Sequence, residues 1–376
     1  MKALFAHDHR FLLRSDGVAF SKGKVNPEMF DIYLNFLDSI TIVSRFEKID
    51  SASDNLVQIN NSNLSFYPFK NLSNVKELFN NRNISEMCDL VSQHDFVIAR
   101  LPSEIGLLAV NAANRVGVKC IIEFVACPWD GLWYYGGIKS KLYAPYYFYR
   151  NRKAVKNASD VIYVTSDFLQ KRYPNNFHNI GVSDVSITDV NLNPKTIAAD
   201  DKIILGLVGS LDSPHKGIEL AIKAIIDLRE QGYNATLKIL GPGDKSRWVT
   251  KFPHTTDYVE YSGVLPPGEA VRSWLSSLDI YIQPSYQEGL PRAIIEAMST
   301  GLPVVGSDAG GIPELIMPDY VHKRGDYLSL VKNIKLIIEL DRYKKASEYS
   351  LDKANEFKLD NLIQRRMSFW SKALSI

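Results

Sequence analysis

Short runs of apolar and β-branched residues alternate along the whole chain with stretches whose apolar positions return every three or four residues. In the first half the strand-like runs are KALFAH (2–7), SITIVSRF (39–46), LSFYPF (64–69), FVIARL (96–101), KCIIEFVA (119–126) and DVIYVTS (160–166). Between them, Ile105–Val116 carries Leu108, Ala112 and Val116 at helical spacing. A second series starts at KIILGLVGS (202–210) and continues with ATLKILG (235–241), YVEYSGV (258–264), DIYIQPS (279–285) and LPVVGSD (302–308). Its first helical stripe, Ile218, Ala221, Ile222, Ile225 and Leu228, stops at Gly232. Such alternation predicts α/β architecture with doubly wound parallel sheets.

Between the two series, Val182–Asp201 turns polar, and its later part, with Pro194 and the pair Asp200-Asp201, reads as a linker. The division predicted is residues 1–195 and 196–355. The closing stretch Ser347–Ile376 reads as helix, with Phe357, Leu362, Met367, Phe369 and Trp370 as apolar positions, and its part over 356–376 is free to pack back on the first domain.

Length agrees, since 376 residues exceed one ordinary core. Lys+Arg 44 against Asp+Glu 42 leaves a net charge of +2, so no global field recruits nucleic acid. Cys88, Cys120 and Cys127 do not make a full disulfide framework, and MKALFAHDHRFLL carries no secretory pattern. No apolar run reaches the roughly 18–20 residues of a spanning helix. These bounds describe a cytoplasmic enzyme.

One stretch departs from the average. KSKLYAPYYFYRNRKAVK (139–156) holds Lys139, Lys141, Arg150, Arg152, Lys153 and Lys156, no acid, and aromatics from Tyr143 to Tyr149. That mixture suits an anionic membrane surface, with the enzyme peripheral on the inner face of the membrane, or a lipid-linked acceptor. The plainer reading is a solvated helix face whose aromatic side is core.

The densest chemistry lies in PSYQEGLPRAIIEAMSTGLPVVGSDAGGIPELI (284–316). Ser285 follows an apolar strand, a loop carries Glu288 and Gly289, and Pro291 sits near the first turn of a helix, where its missing N–H costs nothing. The helix, Arg292–Ser299, stops at Gly301 with Pro303 beyond. A helix start of this kind offers backbone N–H groups and partial positive charge to a diphosphate. The spacing of Glu288 and Glu296 puts one carboxylate in the loop and the other on the helix. Both can accept hydrogen bonds from sugar hydroxyls, one from a hexose and one from a ribose. On spacing alone, Glu296 fits an i,i+4 pair with Arg292 equally well, and Glu288 a solvated acid. An apolar strand, two acids, a helix start and GGIPE downstream together favour the site.

The pattern Glu288-x7-Glu296 in EGLPRAIIE, followed by AMSTGLPVVGSDAGGIPELI, resembles the signature of family four of the retaining nucleotide-sugar glycosyltransferases. LGLVGSLDSPHKGIELAIKA (205–224) is similar to that family's first donor-domain strand and turn. LKILGPG (237–243), with Gly241, and YSGVLP (261–266), with Val264, match its later strands. The likeness covers residues 200–316 well and the N-terminal half loosely.

The resemblance implies a GT-B fold: two Rossmann-like parallel-sheet domains facing a central cleft, the first for the acceptor and the second for the donor. It implies that Glu296 holds the ribose, that Glu288 binds the sugar hydroxyls beside Ser285, and that Gly289, Leu290 and Pro291 lie against diphosphate and sugar. Lys216 would neutralise the leaving diphosphate, Gly209 would let backbone approach the reacting centre, and Gly17 would form a glycine loop near the phosphates. Where the family commonly has Arg after the V-G turn, this chain has Ser210. Where it often has His after the strand around Ile121–Val125, the chain reads EFVACPWDGLWYYGG, with Asp130 the nearest replacement and Trp129 and Trp133 available to stack on an acceptor sugar or to pack.

The activity implied is transfer of a hexose from a nucleotide diphosphate sugar, UDP-linked by family habit, to a saccharide or lipid-linked saccharide in surface polysaccharide synthesis. The configuration would be retained and the leaving phosphate oxygen would take the acceptor proton, so no separate base is needed. No Asp-x-Asp motif occurs, and neither cofactor nor metal is expected; His7-Asp8-His9 reads as a polar cluster at a strand end. A nucleotide-sugar epimerase or hydrolase of the same fold stays open, as does a non-catalytic sugar-nucleotide sensor. A dinucleotide-binding dehydrogenase is disfavoured because KALFAHDHRFLLRSDG offers one glycine where G-x-G-x-x-G is needed.

Overall fold

The computed structural model describes residues 1–22, 25, 27–50, 56–59, 61–72, 74–78, 80–135, 137–197 and 202–374, so the Asp200-Asp201 pair of the expected linker lies outside the described residues. The chain divides into two compact units. Met1–Trp129, Leu142–Val182 and Arg365–Ile376 form one; Asp130–Lys141 and Ser183–Gln364 form the other.

The first unit is built on β1 (Lys2–Arg14), β2 (Ala19–Ser21), β3 (Ser39–Ile49), β4 (Val57–Ile59), β5 (Leu64–Pro68), β6 (Phe96–Leu101), β7 (Lys119–Phe124), β8 (Asp160–Tyr163) and β9 (His178–Gly181). Its parallel strands run in the order β5-β3-β1-β6-β7-β8-β9. β6 is buried at every position, as a strand covered by helices on both faces must be. β1 outlasts the predicted run: after a register break between Ala6 and Arg10 it continues beside β3 to Arg14, then turns back antiparallel as β2, which pairs with β4. The unit ends on the last part of the helix Leu359–Leu374. There Trp370 is 1% exposed and packs against Tyr33 at 5.7 Å and Phe96 at 6.1 Å. Arg366 reaches the buried Glu123, which also pairs with Arg100 at 2.9 Å.

The second unit is simpler. β10 (Ile203–Val208), β11 (Ala235–Leu240), β12 (Val259–Gly263), β13 (Ile280–Gln283), β14 (Val304–Ser307) and β15 (Val321–His322) form one all-parallel sheet in the order β12-β11-β10-β13-β14-β15. The chain winds outward from β10 in one direction and then, from β13, in the other. The crevice at the carboxyl ends of β10 and β13 is therefore the switch point, where such sheets bind ligands. The predicted stripe Ile218, Ala221, Ile222, Ile225 and Leu228 lies buried on the helix Ile218–Glu230, in one core with Leu205, Leu207 and Ile239. The closing helical stretch is two helices, Leu340–Asn355 and Leu359–Leu374. Between them the Phe357 carbonyl accepts from Ile187 N at 3.0 Å, a bond that a continuous helix would have kept for itself.

Candidate active site

Close approach of backbones shapes the edge of the second unit at the ends of β10, β11 and β13. Gly209 follows β10, and a Cβ there would lie 3.0–3.3 Å from the Lys216 side-chain carbons, so the glycine makes room for the lysine stem. Gly217 has φ +69° and faces the Pro284 carbonyl; Gly241 has φ +154° and faces the Gly209 carbonyl. A side chain at either would meet backbone, which has no room to yield. Tyr286 N donates to the His215 carbonyl at 2.7 Å and locks the lysine-bearing turn to the loop after β13.

The centre is Glu288, 8% exposed. Its Oε1 accepts from Lys216 Nζ at 2.8 Å, Ser285 Oγ at 2.7 Å and Gln283 Nε2 at 3.2 Å. Among the described residues Oε2 has no hydrogen-bond partner. Three donors on one oxygen compensate burial of the charge and leave the other oxygen for a ligand. The imidazole of His215, beside Lys216, is held below its usual range by burial and by the lysine's charge.

The predicted helix forms over Arg292–Ser299 with Pro291 at its N-cap rather than inside its first turn, and no side chain caps it. Glu296 lies one turn in. The i,i+4 pair with Arg292 exists at 3.9 Å, but the guanidinium is largely exposed and does not dominate. Burial pushes the Glu296 carboxyl above its ordinary range against the arginine's opposing pull.

The GGIPE segment supports this loop from below. Gly310 has φ +57° and faces the Glu288 carbonyl, and Gly311 N donates to the Gly289 carbonyl at 2.7 Å. Ser307 Oγ donates to the Ser285 carbonyl at 2.6 Å. Arg324, held on Asp308 at 3.0 Å, reaches the Tyr286 carbonyl at 3.4 Å and lies over the Tyr134 ring.

Gly209, Ser210, Lys216, Gly241, Ser285, Glu288, Gly289, Leu290, Pro291 and Glu296 thus meet at one sheet edge. Ser210, in place of the expected arginine, uses its hydroxyl to accept from Asp212 N at 3.3 Å. Val264 follows β12 at the same edge and is exposed. Asp130 (buried) and Trp133 (exposed, with Lys141 over its ring) also belong to the second unit. Trp129 and Gly17 belong to the first: Trp129 packs edge-on against Phe148 at 5.8 Å, and Gly17 makes the β1–β2 turn with φ +86°. The His7-Asp8-His9 cluster is occupied internally. Asp8 accepts from the amides of Glu104 and Ile105 at 2.6 and 3.2 Å, His7 Nδ1 meets the Arg100 carbonyl, and His9 meets Ser21 Oγ. Sequence reasoning passed over Tyr281, Gln283 and Arg324. The available signal was a glutamine ending an otherwise apolar strand run immediately before Pro-Ser.

The family profile for glycosyl transferases group 1 matches residues 202–339. Protein CapJ of Staphylococcus aureus is 32% identical over 353 residues, covering 92% of this chain and 88% of its own. A putative colanic acid biosynthesis glycosyltransferase of Escherichia coli, WcaL, is 29% identical over 174 residues, 43% of each chain. Among solved structures, Anabaena HepE in complex with UDP matches with TM-score 0.67 at 16% identity, covering 99% of this chain and 100% of that one; its complex with UDP-glucose matches with TM-score 0.61 at 18% identity over 99% and 100%. A profile that spans Lys216 and Glu288, likeness to one relative over 92% of this chain and two parallel sheets of GT-B form agree: the chain belongs to the group 1 glycosyl transferases and is a glycosyltransferase of the GT-B fold.

Proposed function

We propose that the second unit binds a UDP-hexose and transfers the hexose, with retention of configuration, to a saccharide acceptor in capsule or exopolysaccharide synthesis. The observation that carries the donor assignment is the Lys216–Glu288 pair at the switch point: a cation and a half-satisfied carboxylate beside an uncapped helix start. In this reading Lys216 and the first amides of Arg292–Ser299 stabilise charge growing on the departing diphosphate. Glu288 Oε2 and Glu296 accept hydroxyls of hexose and ribose, and Gly289–Pro291 border the phosphates. The bond from the anomeric carbon to phosphate oxygen breaks and one to the acceptor oxygen forms on the same face, while the departing phosphate oxygen takes the acceptor's proton. The relative WcaL, a colanic acid biosynthesis glycosyltransferase by its name, supports the polysaccharide setting, and the HepE complexes support UDP and glucose.

The test is a thermal-shift screen over nucleotide diphosphate sugars, followed by product analysis with and without saccharide acceptors. Stabilisation by UDP-sugars and an acceptor-dependent product of unchanged anomeric configuration are expected. Release of free sugar or epimer without acceptor would favour the hydrolase or epimerase, and binding without any product a sensor.

We further assign the acceptor to a lipid-linked saccharide at the cytoplasmic membrane face. On the helix Ile138–Asn157, Ile138 and Leu142 are 80% and 77% exposed, and Tyr146 and Tyr149 continue the same stripe at helical spacing. Tyr147, Phe148 and Val155 turn to the core instead. Among the described residues no helix is long and apolar enough to cross a membrane, so a surface seat fits the exposed stripe and its lysines. Leu142→Glu with Tyr149→Glu should abolish sedimentation with phosphatidylglycerol vesicles; equal sedimentation of both proteins would refute the seat.

A further inference from the structure

The hydrogen bonds behind Glu288 have a direction, and a backbone amide sets it. Val208 N, at the end of β10, donates to the Tyr281 hydroxyl oxygen at 3.3 Å. An amide can only donate, so the phenol proton goes onward, to Gln283 Oε1 at 2.6 Å. That fixes the carboxamide with its oxygen toward Tyr281. Its NH2 then faces Ser285 Oγ at 2.7 Å and Glu288 Oε1 at 3.2 Å. Ser285, having accepted, passes its own proton to Glu288 Oε1 at 2.7 Å. Tyr281, Gln283 and Ser285 are each no more than 1% exposed, so bulk water does not scramble the order. The chain starts one residue before Gly209, whose missing side chain seats Lys216, and ends on the carboxylate that Lys216 holds. The two halves of the site are thereby tied through a buried relay.

We infer that Gln283, aimed by Tyr281, is a positioning residue that commits Glu288 Oε1 to the protein and so reserves Oε2 as the acceptor for a donor-sugar hydroxyl. This deepens the donor reading above and rests on it. Without the Gln283 NH2, Ser285 Oγ and Glu288 Oε1 each lose a donor, and the carboxylate is free to rotate and spend Oε2 on Lys216. The loss falls on recognition of the hexose, not of the nucleotide.

The experiment measures affinity for UDP and for UDP-glucose by calorimetry on wild type, Gln283→Met, Tyr281→Phe and Gln283→Glu. Gln283→Met should weaken UDP-glucose about 10-fold, the scale of one lost buried hydrogen bond to a charged group, and leave UDP within about twofold. Tyr281→Phe should move the same ratio less, because the amide keeps its donors but loses its aim. Gln283→Glu sets a second carboxylate against Glu288. Its UDP-glucose affinity should recover as pH falls and the pair shares a proton, a recovery absent in Gln283→Met. Parallel losses for UDP and UDP-glucose, or an unchanged ratio in Gln283→Met, would overturn the inference while leaving the donor reading standing. A wild type that binds neither ligand would overturn the donor reading and this inference with it.

Discussion

The two units solve the same architectural problem in opposite ways. Each has a switch point beside its first parallel strand, and each places a helix start there. In the first unit the helix Glu104–Val116 is closed: Asp8 takes the amides of Glu104 and Ile105, and Ser103 Oγ takes that of Gly106. The partial positive charge of that helix end already has its anion, supplied by β1. In the second unit neither Ile218–Glu230 nor Arg292–Ser299 has a side-chain cap. What stands nearby is a lysine and a carboxylate with one oxygen spare. The same fold thus yields a self-satisfied crevice and an open one, and the difference is a single carboxylate delivered by a break in a strand.

The largest effect expected from breaking the comparison is on the open side. Lys216→Ala should lower kcat/KM by about 10²–10³, the range for removing one group that stabilises a transition state, and Glu296→Ala should lower it about 10-fold through KM for the donor, the scale of one lost hydrogen bond to a charged group; near-normal initial rates in both would remove them from the site. On the closed side, Asp8→Ala should leave donor binding intact and cost about 1–2 kcal/mol in denaturant unfolding, the scale of a lost helix cap. Sulfate should then stabilise this variant more than wild type, because two amides of a helix end have lost their anion. Equal sulfate response would mean that Asp8 does not occupy an anion site.

The remaining effects are in pH, and they have opposite signs. Burial, aided by Arg100, pulls the His7 imidazole down to about 3 from an ordinary 6.5. The unfolded chain then binds the extra proton first, so stability present above pH 6.5 is lost as pH falls toward 3. His7→Asn should flatten that slope. Glu296 is raised by burial from 4.5; the native state holds its proton longer, so stability declines as pH rises above 4.5. Glu296→Gln should therefore raise the melting temperature at pH 7 relative to wild type and lose that advantage below pH 4.5. A melting temperature lower than wild type at pH 7 would contradict the burial account.

Much of the second unit was legible. Its strands are uninterrupted apolar runs punctuated by Gly and Pro, and the helix over Arg292–Ser299 follows from Pro291 and Gly301, so local chemistry alone placed Glu288 in a loop and Glu296 one turn in. β15 was missed because Val321–His322 is too short to make a periodic signal. The first unit was less legible for a physical reason. β1 runs on through HDHRFLLR, whose polar residues do not look like a buried strand, because pairing with β3 and β2 holds it there. The break within Leu340–Leu374 was equally invisible, since Glu356 and Lys358 are ordinary helix residues and only the bonds to Ile187 interrupt them.

Alternating strand and helix periods determined by themselves that this is a doubly wound α/β chain, and Pro291 and Gly301 that Glu288 sits in a loop and Glu296 one turn into a helix, because periodicity and turn chemistry are local properties. Only the folded structure decided which oxygen of Glu288 is left over, that Tyr281 and Gln283 aim it, and that Asp8 seals the corresponding crevice in the first unit. Those outcomes join residues tens of positions apart, and hydrogen-bond direction exists only once the partners have met.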